Sequence, residues 1–186
     1  DVSKYSDIKS LVDISIKRFE GIDILVNNAG IIYYRSLIDT TEEEWNKNID
    51  TNLKSVFLFT KEVLPHMIKN KSGGVIVNVS SSAGKSGFPN LSAYCASKFG
   101  VIGLTESIAK EVADNNVKVM AICPGGVDTD MIKNMVNDGY NLSNRNLMKP
   151  EQVAKKIYDM IFNQKSYYNG QSIEFYNNKW VFIKWP

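Results

Sequence analysis

The sequence contains very few of the residues that build metal centres and disulfide frameworks. Its 186 residues include one histidine, His66, and two cysteines, Cys95 and Cys123. The usual zinc sites need three or four such ligands at short spacings, so no metal site is predicted. The two cysteines lie in apolar stretches, and we expect them to be buried thiols of a protein from a reducing compartment.

The single histidine also argues against a serine hydrolase. The nucleophile of such an enzyme needs a base, and His66 is the only histidine available. It follows Pro65 inside a predicted helix rather than a strand end. We therefore do not favour a hydrolase.

Neither an excess of charge nor a long apolar run is present. Lys and Arg number 22 and Asp and Glu number 20, so the net charge of +2 gives no reason to expect nucleic acid or a membrane as partner. No apolar run approaches the roughly 20 residues that span a bilayer. We expect a cytoplasmic protein whose partner is a small molecule. The aromatic, basic residues 179–186 are expected to extend a strand or dock on a neighbouring subunit.

The sequence does contain an alternation of helical and strand patterns. Helices are predicted over residues 6–21 (capped by Ser6 and ended by Gly21), from Thr41, over 49–69 with Pro65 inside, over 91–113, and from Pro150. Buried strands are predicted within 22–30, 73–81 and 117–126, with the last strand at 170–176. The Asn-rich segment 128–148 is predicted to be a mobile lid with one short helix.

Strict alternation predicts a three-layer α/β/α domain with a parallel sheet between two layers of helices. No repeat or linker divides the sequence, so we expect one domain over residues 1–186. Ligands of such sheets bind beyond the carboxyl ends of the strands. The segments NNAG, SSSAG and PGGVDT follow three predicted strands and therefore carry functional weight.

The segment YCASK places Tyr94 and Lys98 four residues apart, on one face of a predicted helix. This spacing alone is weak evidence, because Tyr5 and Lys9 share it in what we interpret as a solvated helix face. The surroundings of Tyr94 are more specific. Ser81 precedes it by thirteen residues, at the end of a predicted buried strand.

The order NNAG, Asn52, VNVSSSAG, YCASK and PGGVDT resembles that of the short-chain dehydrogenase/reductase family, over nearly the whole chain. The resemblance implies a Rossmann-like doubly wound sheet and an NAD(P)-dependent oxidoreductase. Such an enzyme transfers a hydride between nicotinamide and a carbonyl or secondary alcohol. The substrate and the direction stay open, among 3-oxoacyl thioesters, sugars and polyols, steroids and small ketones.

The resemblance implies catalytic roles for Asn52, Ser81, Tyr94 and Lys98. Tyr94 exchanges a proton with the substrate oxygen, which Ser81 orients. An ammonium about 4 Å away at an effective dielectric of about 20 contributes roughly 4 kcal/mol, so Lys98 is expected to lower the pKa of Tyr94 from about 10 to about 7. Strand alternation places Ser81 on the opposite face from its two serine neighbours. Asn52 is expected to hold a water against Lys98 in a proton relay.

The cofactor implied by the resemblance is NAD or NADP. The residues expected to contact it are Asp1, Val2, Asn27, Ala29, Gly30, Tyr94, Lys98, Pro124, Gly125, Val127 and Thr129. The turn after the first predicted strand is expected near the adenosine ribose, and PGGVDT near the nicotinamide. The substrate is expected to contact Ser81, Phe88, Asn90 and Tyr94.

The opening DVSK also bears on the cofactor. In the family pattern Asp1 and Val2 stand at the end of a third strand, so we expect about 60 to 70 further residues before them. That part would hold the glycine-rich phosphate turn and the residue that selects NAD or NADP. Either the sequence is part of a longer protein or the chain is truncated. We favour the first, because a sheet without three strands would expose a central strand.

Two alternatives to a dehydrogenase stay open. One is a regulatory protein that binds a nucleotide on this fold without turnover. The other is an epimerase or dehydratase that uses the same Tyr94 and Lys98 pair. Whether the enzyme is a dehydrogenase, an epimerase or a dehydratase, we expect a homodimer or homotetramer, because relatives pair the long helices equivalent to residues 52–70 and 91–114.

Overall fold

The computed structural model describes residues 1–70, 72–142, 147–176 and 179–183. The strands in these residues are β1 (Ile24–Asn27), β2 (Gly74–Val79), β3 (Val117–Cys123), β4 (Ser172–Tyr176) and β5 (Lys179–Ile183). The α-helices are α1 (Tyr5–Phe19), α2 (Glu42–Ile49), α3 (Ser55–Lys69), α4 (Ser92–Glu111), α5 (Asp130–Asn137) and α6 (Pro150–Phe162). No helix in this described part is long and apolar enough to cross a membrane.

The strands form one sheet in chain order, with β1 to β4 parallel, which confirms the α/β prediction. The expectation that the strand at 170–176 is the last one is wrong. Residues 179–183 form β5, which pairs antiparallel with β4, so the sheet is mixed. Phe175 lies opposite Trp180 with ring centroids 5.2 Å apart, a cross-strand aromatic contact that stabilises the pair. Residues 184–186 lie outside the described residues.

Apolar side chains cover both faces of the sheet, as a three-layer fold requires. On one face Ile76 and Val119 pack with side chains of α1, α3 and α4. On the other, Val77 and Met120 pack with Met160 of α6. All five side chains are fully buried, and each contributes about 1.5 to 3 kcal/mol through removal from water. Successive side chains of β2 and β3 therefore point to opposite faces of the sheet, and this alternation determines which helices pack on each face.

The helices predicted from Thr41 and over 49–69 are one continuous run. The capping box of Thr41 and Glu44 is present at its start. A single π-helical turn, Asp50–Lys54, joins α2 to α3, and such turns are frequent at functional sites. The predicted ends of α1 are wrong: the helix follows Lys4 without a side-chain cap and ends at Phe19, and the next residue, Glu20, caps it with a φ of 63°.

A buried chain of polar side chains ties β1, β2 and α4 together. The Asn27 amide donates to Asn78 Oδ1 at 2.8 Å, and the Asn78 amide donates to Thr105 Oγ1 at 2.9 Å. The Thr105 hydroxyl in turn donates to the Val101 carbonyl within α4 at 2.7 Å. Because the side chains of this amide network are buried and hydrogen-bonded, they fix the two strand ends against the helix.

Gly84 allows α4 to approach the end of β2 closely. A Cβ atom at this position would lie 2.5 Å from Ser80 Oγ and 2.7 Å from the Lys98 carbonyl oxygen. Ser80 uses the same gap to donate to that carbonyl at 2.9 Å. A glycine after β2 therefore sets the distance between the strand end and the helix turn that carries Lys98.

Candidate active site

Tyr94 and Lys98 lie one turn apart on α4 and are both buried, with exposed fractions of 7% and 3%. Ser81 stands just beyond β2, where its Oγ accepts a hydrogen bond from the Ala83 N–H at 3.1 Å. The Ser81 side chain lies near enough to Tyr94 to lower the pKa of its phenol. The structure therefore brings Ser81, of the three consecutive serines, to the phenol.

The Lys98 ammonium lies between the ends of two strands. Nζ donates to the carbonyl of Val79, the last residue of β2, at 2.9 Å. It is 5.6 Å from the centroid of the Tyr94 ring. A Cβ atom on Gly30, which follows β1, would lie 3.5 Å from the same Nζ. The Lys98 ammonium therefore lies between the Tyr94 ring and the turn after β1.

The expected lowering of the Tyr94 pKa to about 7 is wrong for this arrangement. Burial is the main influence and raises the pKa of Tyr94 to about 12, although the Ser81 side chain opposes the rise. Burial also lowers the pKa of Lys98 to about 8. The Lys98 ammonium is directed at the Val79 carbonyl, so it does not offset the loss of water around the phenol.

Asn52 lies in the π-helical turn and grips the backbone of Ile31. Its Oδ1 accepts from the Ile31 N–H at 2.8 Å, and its Nδ2 donates to the Ile31 carbonyl at 2.9 Å. Because the side chain is fully buried, these two bonds fix the turn after β1 against the helix. A Cβ on Gly30 would lie 3.4 Å from Asn52 Oδ1. Its role in holding a water stays a prediction.

Two residues that support this arrangement were not singled out from the sequence. The Ser97 hydroxyl donates to the Tyr94 carbonyl at 2.7 Å and accepts from Asn52 Nδ2 at 3.1 Å. Asn48 Oδ1 accepts from the same amide at 3.3 Å. The spacing of four between Asn48 and Asn52 was a usable signal, since it places both on one helix face.

The turn after β1 leaves space for a ligand at the strand ends. The side chain of Asn27 is hydrogen-bonded within the amide network, so only the backbone of Asn27 can face a ligand at this turn. Ala29 is exposed, and Gly30 keeps open the space between Asn52 and Lys98. After β3, a Cβ on Gly125 would meet nothing within 4 Å. Open backbone on both sides of a buried ammonium fits a nicotinamide cofactor.

The segment PGGVDT connects β3 to α5. The Pro124 carbonyl accepts from the Ser82 N–H at 2.8 Å, which joins the ends of β3 and β2. Val127 forms a parallel bridge with Met148, and Thr129 directly precedes α5 with its hydroxyl donating to the Val127 carbonyl at 3.2 Å. The predicted short helix within 128–148 is confirmed as α5, while residues 143–146 lie outside the described residues.

The first residues form local contacts at the start of α1. The Asp1 carboxylate accepts from the N–H and hydroxyl of Ser3. The roles of Asp1 and Val2 at the cofactor therefore stay predictions. The Tyr5 side of α1 is exposed, as its interpretation as a solvated helix face requires.

An apolar cluster covers the phenol. Tyr94 packs with the buried side chains of Ala83, Leu91, Cys95 and Met135, and the half-buried Ile32, Tyr34, Phe88, Ile132 and Tyr140 pack against them. Phe88 thus lies in the cluster around Tyr94, and its contact with substrate stays a prediction. Asn90 has a φ of 62°, and its carbonyl accepts from the Arg35 N–H at 2.9 Å. We call α5 and the loop 31–35 together the cover.

Comparison with known proteins gives consistent results. Residues 1–139 match the family model described as short chain dehydrogenase. The chain is 39% identical over 178 residues to the 3-oxoacyl-[acyl-carrier-protein] reductase FabG of Thermotoga maritima, covering 93% of this chain and 72% of that protein. It is 36% identical over 180 residues to dehydrogenase/reductase SDR family member 4 of Bos taurus, covering 92% and 64%. The crystal structure of levodione reductase matches with a TM-score of 0.86 and 29% identity, covering 94% and 72%.

Proposed function

Since the chain belongs to the short-chain dehydrogenase family and is an NAD(P)-dependent oxidoreductase, we propose that Tyr94, Ser81 and Lys98 carry out the proton chemistry of its reaction. Residues 1–186 would form part of one Rossmann-type domain. The observation that carries the proposal is the position of Tyr94 at the ends of parallel strands, where its ring centroid lies 5.6 Å from the Lys98 ammonium and the Ser81 side chain lowers the pKa of its phenol.

Tyr94 is the proposed general acid in the reductive direction. Because burial raises its pKa to about 12, the phenol keeps its proton at neutral pH and can donate it to a carbonyl oxygen. The Ser81 hydroxyl holds that oxygen beside the phenol. A bound nicotinamide cofactor supplies or accepts the hydride at the carbonyl carbon. In the oxidative direction Tyr94 takes the proton back.

Lys98 is proposed to stabilise the phenolate that forms when Tyr94 gives up its proton. Its Nζ and Asn52 Oδ1 border the same space at Gly30, at 3.5 and 3.4 Å from a Cβ position there. This shared border supports a relay in which a water between the two side chains returns a proton to Tyr94. The relay uses only polar atoms whose positions buried hydrogen bonds already fix.

The proposed cofactor contacts lie on two turns. They are the backbone at Asn27, Ala29 and Gly30 after β1, and Pro124, Gly125, Val127 and Thr129 after β3, with Lys98 and Tyr94 between them. Asp1 and Val2 complete the set by the family pattern. The chemistry of these residues suits either NAD or NADP.

The proposed substrate is a 3-oxoacyl thioester. Relatives such as the proteins from Thermotoga maritima and Chlamydia muridarum, 39% identical over 178 and 179 residues, are 3-oxoacyl-[acyl-carrier-protein] reductases. The apolar side chains around Tyr94, including Phe88 and Met135, suit an acyl chain better than a sugar, whose hydroxyls would find few partners there.

Oxidation of NADH or NADPH by the purified full-length protein tests the proposal. A panel containing an acetoacetyl thioester, a sugar and small ketones should show turnover, with the thioester preferred. Cofactor binding without turnover on any carbonyl would favour the nucleotide-binding alternative. Substrate conversion without net cofactor consumption would favour an epimerase or dehydratase.

We further propose that the protein is a homodimer or homotetramer assembled through α3 and α4. Phe57 on α3 and Phe99 on α4 are 45% and 40% exposed, which supports an apolar face between subunits. Light scattering should give at least twice the monomer mass. A monomer at micromolar concentration would contradict the assembly.

A further inference from the structure

We propose that Arg35 is a positioning residue that latches α5 over Tyr94 and thereby governs how substrate reaches the phenol. This inference rests on the proposed function. Arg35 lies in the loop after β1 and touches no proposed reacting group. Its effect would be transmitted through α5, whose side chains pack on the site.

The guanidinium of Arg35 bridges two carboxylates from different elements. Nη1 lies 3.3 Å from Oδ2 of Asp138, the residue that directly follows α5. Nε lies 3.6 Å from Oε1 of Glu44, which belongs to α2. Glu44 is itself fixed, because its other oxygen accepts from the Thr41 N–H in the capping box at 3.0 Å. Arg35 therefore connects the end of α5 to α2, a separate helix whose start is held by its own capping box.

A contact between two aromatic rings joins the same two parts of the chain as this ion pair. Tyr34, the neighbour of Arg35, meets Tyr140 edge to face with ring centroids 5.3 Å apart. The backbone beneath is held too: the Arg35 N–H donates to the Asn90 carbonyl at 2.9 Å. The loop that carries the latch is thus anchored to the residues just before α4, while its side chains hold the residues just after α5.

The latch matters because α5 covers both halves of the site. Met135 is 4% exposed and belongs to the cluster around Tyr94. Met131 Cε would lie 3.9 Å from a Cβ on Gly30, at the proposed cofactor turn. Tyr94 is only 7% exposed and Met135 of α5 packs in its cluster, so displacement of α5 would open a path for a carbonyl group to the phenol. The contacts that hold the end of α5 therefore set the frequency of opening.

The latch is weak enough to open. Arg35 and Asp138 are 38% and 36% exposed, so water and salt compete for the pair. A second ion pair on α5 provides a control, because Lys133 and Asp130 lie 3.1 Å apart within the helix and connect it to nothing else.

Hydrogen–deuterium exchange of the full chain measures the opening of α5 without turnover. Arg35→Met and Asp138→Asn should each accelerate exchange across α5 by about two- to fivefold, and the double variant should add little, because both remove one contact. Asp130→Asn should leave the rate unchanged. In the unmodified chain, raising NaCl from about 0.05 to about 0.5 M should produce the same acceleration, which Arg35→Met should abolish. Unchanged exchange in both latch variants would overturn the proposal.

Steady-state kinetics then link the opening to access. Because the open form that admits substrate becomes more populated, Arg35→Met should lower the KM for the carbonyl substrate by a similar two- to fivefold at nearly unchanged kcat, and Arg35→Lys should fall between it and the unmodified enzyme. Accelerated exchange with an unchanged KM would overturn the access role. Absence of turnover in the unmodified protein would contradict the proposed function, while the exchange rates would still decide whether the latch exists.

Discussion

The site consists of two regions that are held in place by different forces. The floor of the candidate site, which we define as Asn52, Ser81, Tyr94, Ser97 and Lys98, is held mainly by hydrogen bonds among buried groups. The cover is held by a half-exposed ion pair and an edge-to-face ring contact. Buried hydrogen bonds are costly to break, whereas exposed ion pairs are not. The chain thus keeps its proposed chemistry rigid and its access adjustable.

The largest expected effect comes from the phenol of the floor. Tyr94→Phe removes the proposed general acid and should lower turnover by about 10² to 10⁴-fold, with the dissociation constant of the cofactor nearly unchanged. Steady-state rates and cofactor titration check both. Tyr5→Phe, which alters the exposed Tyr5 and Lys9 face, should leave turnover unchanged. Near-normal rates in Tyr94→Phe would contradict the role of Tyr94 as general acid, and the floor would then no longer be the part of the site that carries the chemistry.

A second substitution tests whether the floor depends on hydrogen bonds rather than on apolar packing. Asn52→Leu keeps the branching of the side chain but leaves the Ile31 N–H and carbonyl without partners, so it should lower the free energy of unfolding by about 2 to 4 kcal/mol. Urea unfolding followed by tryptophan fluorescence measures the loss. The control Asn46→Leu changes an exposed position of α2 and should stay within about 0.5 kcal/mol.

The pH dependence sharpens the comparison, because two groups of the floor, Tyr94 and Lys98, have strongly shifted pKa values. Burial lowers the pKa of Lys98 to about 8, so its ammonium loses the proton as pH rises through that value, while Tyr94, with its pKa raised to about 12, stays protonated. The reductive kcat/KM should therefore be level near pH 7 and fall above about pH 8, by up to tenfold per unit. A profile level to pH 10 would show that the charge of Lys98 is not needed. Among all these predictions, the smallest effects are the two- to fivefold changes in exchange rate and KM that we expect for the latch variants.

The regular part of the fold followed from local patterns. Apolar runs that end in NNAG, SSSAG and PGGVDT became three parallel strands, and the spacing of Tyr94 and Lys98 became one face of α4. These features depend on residues close in sequence, so periodicity and turn chemistry suffice to predict them. The pairing of β5 escaped prediction: the sequence predicts that residues 179–186 extend a strand or dock on a neighbouring subunit, but not that residues 179–183 form a separate strand antiparallel to β4.

The part that the sequence did not reveal depends on distant residues. Asn52 binds Ile31 across 21 positions, and Arg35 meets Asp138 across more than a hundred. The direction of the Tyr94 pKa shift was missed for the same reason. It depends on how completely the cluster buries the phenol and on the Val79 carbonyl to which Lys98 turns. Spacing on one helix cannot supply either fact.

The amide network has a consequence for how this sequence can change over time. Asn27, Asn78 and Thr105 each satisfy a neighbour, so replacing any one by an apolar residue leaves a buried donor or acceptor without a partner. Such single steps are disfavoured even where a fully apolar set of the same volume would pack well. We therefore expect the three positions to be inherited together, and to be exchanged only in lineages that first acquired stability elsewhere.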